Sequence, residues 1–444
     1  MYKVLALANQ SEYSRATLLN DGRTVGRRAR PYRLTGAGGS GFALEGRAAM
    51  TYQNAFNPAV TRRNLIAGVA GLGAAGILAG CSSNDGGSGS GSASGAGEFK
   101  IGSIGPLTGA AASYGTSVKN GAELGCKDFS TDAITFVSKC EDDVADGEKS
   151  VNAFNSLADW GMQALVGPTT TGASLAVAEV ANSDPKIFMI TPSASSPDVT
   201  ADKTCVFQAC FSDPNQGANA AAKLAEMFPD EKFVVFYNSG DTYSSGIRDA
   251  FIAKAEELKL EIVDEETFKD DSQTSFTNQL TKAKDKGATM IFAPIYYTPA
   301  SVLLSNAAAM GYDVKMMGCD GMDGILGVEN FDTSLAEGLY LMTPFSADEE
   351  KNADFVTAYK DAYGETPDQF AADAYDAVHA VSAALEEAGL GADADPTEVA
   401  EKLPEAMTKI TVEGLTGTLT WNDKGEVEKD PMVYVIQDGK YVAA

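Results

Sequence analysis

From Glu98 onward, short apolar runs alternate with stretches whose apolar residues recur at helical spacing. "FKIGSI", "AITFVSKC", "QALVG" and "KIFMIT" read as strands, separated by "EKSVNAFNSLADW", "GASLAVAEVAN" and a stripe of Val118, Ala122, Cys126 and Phe129. A second set follows in the same order of types: "FVVFYN", "SSGIRDAFIAKAEEL", "EIVDEETF", "SFTNQLTKAKDKG", "TMIFAP" and "PASVLLSNAAAMG". In its first helix Ile247, Phe251, Ala255 and Leu258 form one apolar stripe. Short apolar strands alternating with amphipathic helices predict parallel sheets covered on both faces. Two such sets predict two similar α/β lobes. The closing "MVYVIQDGKYV" reads as a strand pair turning at Asp-Gly.

In open parallel sheets, ligands sit beyond the carboxyl ends of the strands. The loops at those ends are "GPLTGAAASYG", "PTTTG", "PSASSPDV", "SGDTYSSG", "IYYTP" and "CDGMDG". They hold small residues, hydroxyls, tyrosines and a few acids, and no basic group. Hydroxyls and N–H groups at helix starts can hold a carboxylate, an Asp can hold an ammonium, and tyrosine faces can pack an aliphatic chain. Each loop alone has a plainer reading: "TTTG" as a helix cap, "SGDT" as a turn, Tyr296 and Tyr297 as strand-end packing, and Asp323 as a solvated loop acid. Six loops of this chemistry on the same strand ends favour a site for a small, neutral, dipolar ligand.

The first 97 residues read as an address. "TRRNLIAGVAGLGAAGILAGC" places Arg62 and Arg63 before a Gly/Ala-rich apolar stretch too short for a comfortable membrane span, then "LAGC". The run resembles a twin-arginine export signal ending in a lipobox, which implies that Cys81 is lipidated and becomes the mature N-terminus. A general secretory signal with incidental arginines is the alternative. Ser82 to Gly97 has almost no side chains to bury and reads as a flexible tether. Residues 1–49 are basic and unpatterned. Met50 would begin a signal of ordinary length.

Composition narrows the function. The chain of 444 residues carries a net charge of −27. Residues 1–81 contain ten basic and three acidic residues, so the remainder is more acidic still. Such a surface repels phosphate backbones and argues against nucleic acid. A single histidine, His379, removes most hydrolase triads and zinc sites. Neither GxxxxGK[ST] nor GxGxxG occurs, and no cofactor is implied.

"IGSIGPLTGAAASYGTSVKNGAELG", "LVGPTTTGASLAVAEVA", "IFMITPSASSPDVT", "SDPNQGANAA" and "GDTYSSGI" resemble the leucine/isoleucine/valine-binding protein family of type I periplasmic binding proteins. The resemblance runs from about Phe99 to the C-terminus. It implies a type I periplasmic-binding-protein fold: two doubly wound parallel-sheet lobes joined by a three-segment hinge. By resemblance, Thr171 binds an α-carboxylate. Ser193, Ala194 and Ser195 supply a carbonyl to the ammonium and a hydroxyl plus N–H to the carboxylate. Asp320 pairs with the ammonium, and Tyr114, Tyr243 and Tyr296 line the pocket, with Tyr297 the match if the register slips by one. Thr169 and Thr170 stand where the family commonly has an apolar residue and a Cys, and Gln208 replaces a frequent Arg.

The resemblance divides the chain into 1–81 (upstream extension and export signal), 82–97 (tether), 98–212 with 343–417 (lobe 1), and 213–342 with 418–444 (lobe 2). The expected function is the lipid-anchored, extracytoplasmic component of an ABC importer. It captures a neutral, branched-chain or other aliphatic amino acid between its lobes and delivers it to a permease. A monomer is expected. Rival readings are the same fold binding an amide, urea or aromatic acid, a sensor subunit of a signalling receptor, and an enzyme using Thr171 or Ser195, for which no base is evident. Cys126 reads as core, and a disulfide among Cys126, Cys140, Cys205, Cys210 and Cys319 is left open.

Overall fold

The computed structural model describes residues 97–427, 429 and 432–444. The expected export signal, Cys81 and all of the tether except Gly97 lie outside them. Gly97, expected as the tether's last residue, already pairs with Ile134 in the first strand.

Two sheets organise the chain. The first contains β1 (Gly97–Gly105), β2 (Ile134–Asp142), β3 (Ala164–Val166), β4 (Phe188–Thr191) and β5 (Val206–Gln208). All are parallel, in the order β2-β1-β3-β4-β5. The second contains β6 (Lys232–Asn238), β7 (Glu261–Phe268), β8 (Met290–Ala293), β9 (Lys315–Gly318) and β10 (Tyr340–Thr343), with β13 (Met432–Gln437) and β14 (Lys440–Ala443) added antiparallel beyond β10. Its order, β14-β13-β10-β9-β8-β6-β7, repeats the first pattern in its parallel part: second strand, first, third, fourth, fifth. Each sheet therefore reverses its winding beside its first strand, and the crevice for a ligand opens there.

The helices follow from the apolar stripes. α1 (Ala112–Asp128), α2 (Gly147–Trp160) and α3 (Thr171–Ala181) connect the strands of the first sheet, as α5 (Thr242–Leu258), α6 (Thr277–Asp285) and α7 (Tyr297–Ala309) do those of the second. Asp146 caps α2 through the Lys149 N–H, and Asp241 caps α5 through the Ser244 N–H. α4 (Asp213–Met227) packs on α5, and both bury Ala220, Leu224, Ile247 and Phe251 over the second sheet, where Phe251 stacks on Phe292 at 3.9 Å. After β10 the chain returns to the first sheet. There α8 (Ala353–Tyr363), α9 (Gln369–Ala388) and α10 (Pro396–Met407) complete its cover. α9 lies so close on α1 that a Cβ at Gly121 would fall 2.1 Å from the Ala371 carbonyl oxygen, so only glycine fits.

The third expected crossover, at Gly417–Thr418, falls inside a strand. β11 (Val412–Gly414) and β12 (Gly417–Leu419) pair antiparallel, and the chain leaves for β13 only afterwards. A buried ion pair lies beside this passage. Lys429 Nζ donates to Asp373 Oδ1, Thr416 Oγ1 and the Ala209 carbonyl, at 2.7, 2.7 and 3.2 Å. It ties α9, the first passage between sheets and the third together. The five cysteines among the described residues are free thiols.

Candidate functional site

The loops at the strand ends of the two sheets meet around a small cavity of about 20 Å³. From the first lobe it is lined by Tyr114, Thr169, Thr170, Thr171, Ser193 and Phe370, and from the second by Tyr243, Tyr296, Asp320 and Gly321.

Thr169 to Thr171 lie where the chain turns from β3 into α3. Thr170 is the residue before the helix, and no side chain caps it. The first-turn N–H groups of α3 thus face the site with the positive end of the helix behind them. Thr170 Oγ1 is buried without a partner. Ser193 Oγ donates to the Thr169 carbonyl at 2.5 Å, binding the turn after β4 to the turn after β3.

Opposite stands Asp320, 4 % exposed, in the turn after β9. Tyr243 OH donates to its Oδ1 at 2.7 Å, and Gln216 Oε1 accepts its backbone N–H at 3.2 Å. Burial pushes the Asp320 carboxyl up to about 7, against the pull of the bonds from Tyr243, Gln216 and Gly321. No positive side chain lines the cavity. An ammonium placed there would relieve that cost.

The rings form the remaining walls. Tyr243 and Tyr296 stack at 5.1 Å, and Tyr114 meets Tyr296 edge-on at 5.4 Å and Phe370 at 4.2 Å. Tyr114 OH bonds the Gly321 carbonyl across the lobes. A side chain at Gly321 would displace the rings: a Cβ there would lie 2.7 Å from Tyr243 OH and 2.9 Å from Tyr296 Cδ1.

Of the eight expected ligand residues, Tyr114, Thr171, Ser193, Tyr243, Tyr296 and Asp320 line this cavity. Ala194 and Ser195 do not. Ser195 Oγ donates to Asp213 Oδ1 at 2.6 Å, and the Ala194 carbonyl accepts from Gln208 Nε2 at 2.7 Å. Both sit behind the wall, and Gln208 holds their loop by a second bond to the Ser196 carbonyl at 2.9 Å. Tyr296 rather than Tyr297 is on the wall. Tyr297 starts α7, and its OH accepts from the Ser113 N–H at 3.3 Å. Asp323, expected as a solvated acid, is 3 % exposed and fully bonded. Phe370 joins the wall from outside the loops expected at the site. It comes from the start of α9, and the only sequence signal was an aromatic beside an Asp cap.

His379, on α9, stacks on Phe129 at 4.3 Å and is not among the cavity residues. Among the described residues, no group of three or more His, Cys, Asp or Glu is arranged to hold a metal ion.

Two lobes wound alike, with a cavity between their strand ends, an acid on one side and a helix start on the other, define a two-lobed binding protein of the type I periplasmic class. The chain belongs to the periplasmic binding protein family, whose model matches residues 98–440. It is 27% identical over 357 residues to the Leu/Ile/Val-binding protein BraC3 of Rhizobium johnstonii, covering 78% of this chain and 94% of that one. It superposes with a TM-score of 0.71 and 28% identity on the branched-chain amino acid substrate-binding protein LivJ of Streptococcus pneumoniae, solved with isoleucine, over 78% of this chain and 98% of that one. A solute-binding protein of Rhodopseudomonas palustris solved with 3,4-dihydroxybenzoic acid shares the fold, with a TM-score of 0.69 and 22% identity, over 78% of this chain and 95% of that one.

Proposed function

We propose that this chain is the extracytoplasmic substrate-binding component of an ABC importer and captures a neutral aliphatic α-amino acid between its lobes. The observation that carries the reading is the polarity of the cavity. Asp320, with no cation beside it, stands on one side, and the uncapped start of α3 with Thr170 and Thr171 stands on the other. An α-ammonium and an α-carboxylate complement those two poles, and the rings of Tyr114, Tyr243, Tyr296 and Phe370 suit an apolar side chain. The names of the relatives, which bind leucine, isoleucine and valine, support the same ligand class.

The proposed mechanism is capture by closure. Lobe 1 (98–212, and 343 to the end of β12) and lobe 2 (213–342, and the chain after β12) rotate about the three passages between the sheets. Only the closed arrangement lets one ligand touch Asp320 and Thr171 together, so binding energy selects it. Delivery to a permease and anchoring through a lipid on Cys81 complete the proposal. Cys81→Ala should appear in the soluble fraction or remain unprocessed. Normal processing and membrane retention of that variant would remove the anchor.

A second reading, an aromatic acid, is favoured by the four rings on the cavity wall. A thermal-shift panel of amino acids, amides, urea and hydroxybenzoates separates the two. A ligand at a hundred times its dissociation constant adds about 2.7 kcal/mol of stability. Stabilisation by hydroxybenzoates alone would overturn the amino-acid reading.

A further inference from the structure

We propose that Asp323 is a latch between the lobes, a positioning residue that favours closure of the cleft and acts without touching the ligand. The inference rests on the closure reading above and adds a residue to it.

Asp323 follows Asp320 in the turn after β9, on the second lobe. Its Oδ1 is held within that lobe by the Gly324 N–H at 2.9 Å and by Tyr441 OH of β14 at 2.8 Å. Its Oδ2 crosses to the first lobe and accepts the Gln369 N–H, the first of α9, at 2.9 Å. Gln369 answers with its side chain: Nε2 donates to the Asp320 carbonyl at 2.7 Å, while Oε1 accepts from Thr343 Oγ1 at 2.9 Å. Two bonds running in opposite directions thus join one turn of lobe 2 to one residue of lobe 1. α9 has its own cap, Asp368, which takes the Ala371 N–H at 3.0 Å and leaves the Gln369 N–H for the carboxylate from the other lobe.

This placement couples the latch to the site. The turn that bears Asp323 also bears Asp320 and Gly321, and the residue after Gln369 is Phe370, which lines the cavity. Docking Asp323 on Gln369 therefore sets both walls at once. A contact made only when the lobes meet raises the closed fraction, and apparent affinity scales with that fraction.

The test uses the full chain with L-leucine as the probe. Asp323→Asn keeps the shape of the side chain. With its oxygen on the Gly324 N–H, its amide opposes the Gln369 N–H. A bond to a charged acceptor contributes about 1.5–3 kcal/mol, so leucine affinity should fall by roughly ten-fold or more while the urea midpoint stays near wild type. Gln369→Met removes the return bond from the other lobe and should shift affinity the same way, which keeps the test sound if Asp323→Asn folds poorly. Affinity within about threefold of wild type in both, or losses that only track a lowered midpoint, would overturn the latch. If wild type itself takes up no leucine, the amino-acid reading is what fails. The latch is then judged by small-angle scattering of the ligand-free chains: a larger radius of gyration in Asp323→Asn supports it and an identical one overturns it.

Discussion

Tyr243 donates its hydroxyl to Asp320 Oδ1 at 2.7 Å and accepts the Gly321 N–H on the same oxygen at 2.9 Å. The phenol, brought by the start of α5, fixes both the carboxylate and the peptide beside it. Asp320 is therefore held in one orientation, as the ammonium-binding role proposed for it requires.

Asp320→Asn keeps the shape and removes the charge. Losing one partner of a buried charged pair costs about 2–5 kcal/mol, so amino-acid affinity should fall by thirty-fold or more in calorimetry. A variant that binds as tightly as wild type would remove Asp320 from the ammonium site. Asp323→Asn is no neutral control, because Asp323 is itself buried and bonded across the lobes.

Affinity should also depend on pH. Burial raises the free protein's Asp320 carboxyl to about 7 from an ordinary value of ~3.9. An ammonium stabilises the ionised form, so binding expels a proton below about pH 7 and affinity rises with pH across that window, then levels off. The same shift makes the ligand-free fold bind more protons than the unfolded chain, so the Asp320 contribution to stability declines as pH rises through the window. Calorimetry in buffers of different ionisation enthalpy reads the proton release directly. Asp320→Asn should abolish this component of the slope, and a ligand without an ammonium should not produce it.

Gly321→Ala drives a methyl group into Tyr243 and Tyr296. Overpacking of this kind costs about 1–3 kcal/mol, felt where the turn and rings form the cavity. Affinity should drop by about ten-fold or more, with a smaller effect on thermal unfolding. Unchanged affinity would mean that the turn yields without disturbing the rings.

Lys429 and Asp373 form a pair whose side chains are each 3 % exposed. Lys429→Ala leaves Asp373 buried without its cation and should cost about 3–5 kcal/mol in urea denaturation. Adding Asp373→Leu should restore much of it, since two apolar groups need no partner. Failure of the second change to help would place the loss in Lys429's bonds to Ala209 and Thr416 instead.

Much of the fold was legible because strand and helix periods are local. "EIVDEETF" is β7 to the residue, and Ile247, Phe251 and Ala255 lie on the buried face of α5, while Leu258, expected in the same stripe, is exposed at the helix end. α4 carries its stripe, Gly217, Ala220, Ala221 and Leu224, mostly in small residues, which mark a helix face weakly. "DPNQGANAAAKLAEM" buries small residues and glycine, and its close fit on α5 is visible only once α5 is in place. The site followed the same divide. Loops at strand ends could be listed from the sequence, so most wall residues were named. Ser195 was expected at the ligand, but its proton goes to Asp213, a neighbour the loop alone does not reveal. The partners that bury Asp323, Gln369 and Tyr441, lie 46 and 118 residues away, so its own stretch of sequence shows only a loop acid. Phe370 escaped because it enters from a helix start and not from a strand end.

The packing of α9 on α1 sets an order of assembly. Ser117 on α1 bonds Asp368 at 2.7 Å, 251 residues later in the chain. All five strands of the first sheet are synthesised before the helix that covers α1 exists, and the whole parallel part of the second sheet is made in between. Neither lobe can finish as an independent unit while the polypeptide is emerging, and contacts of such separation slow folding. Throughout that interval the glycine face of α1 lacks the helix that covers it in the finished fold, so the first lobe to begin is closed only by the last third of the chain.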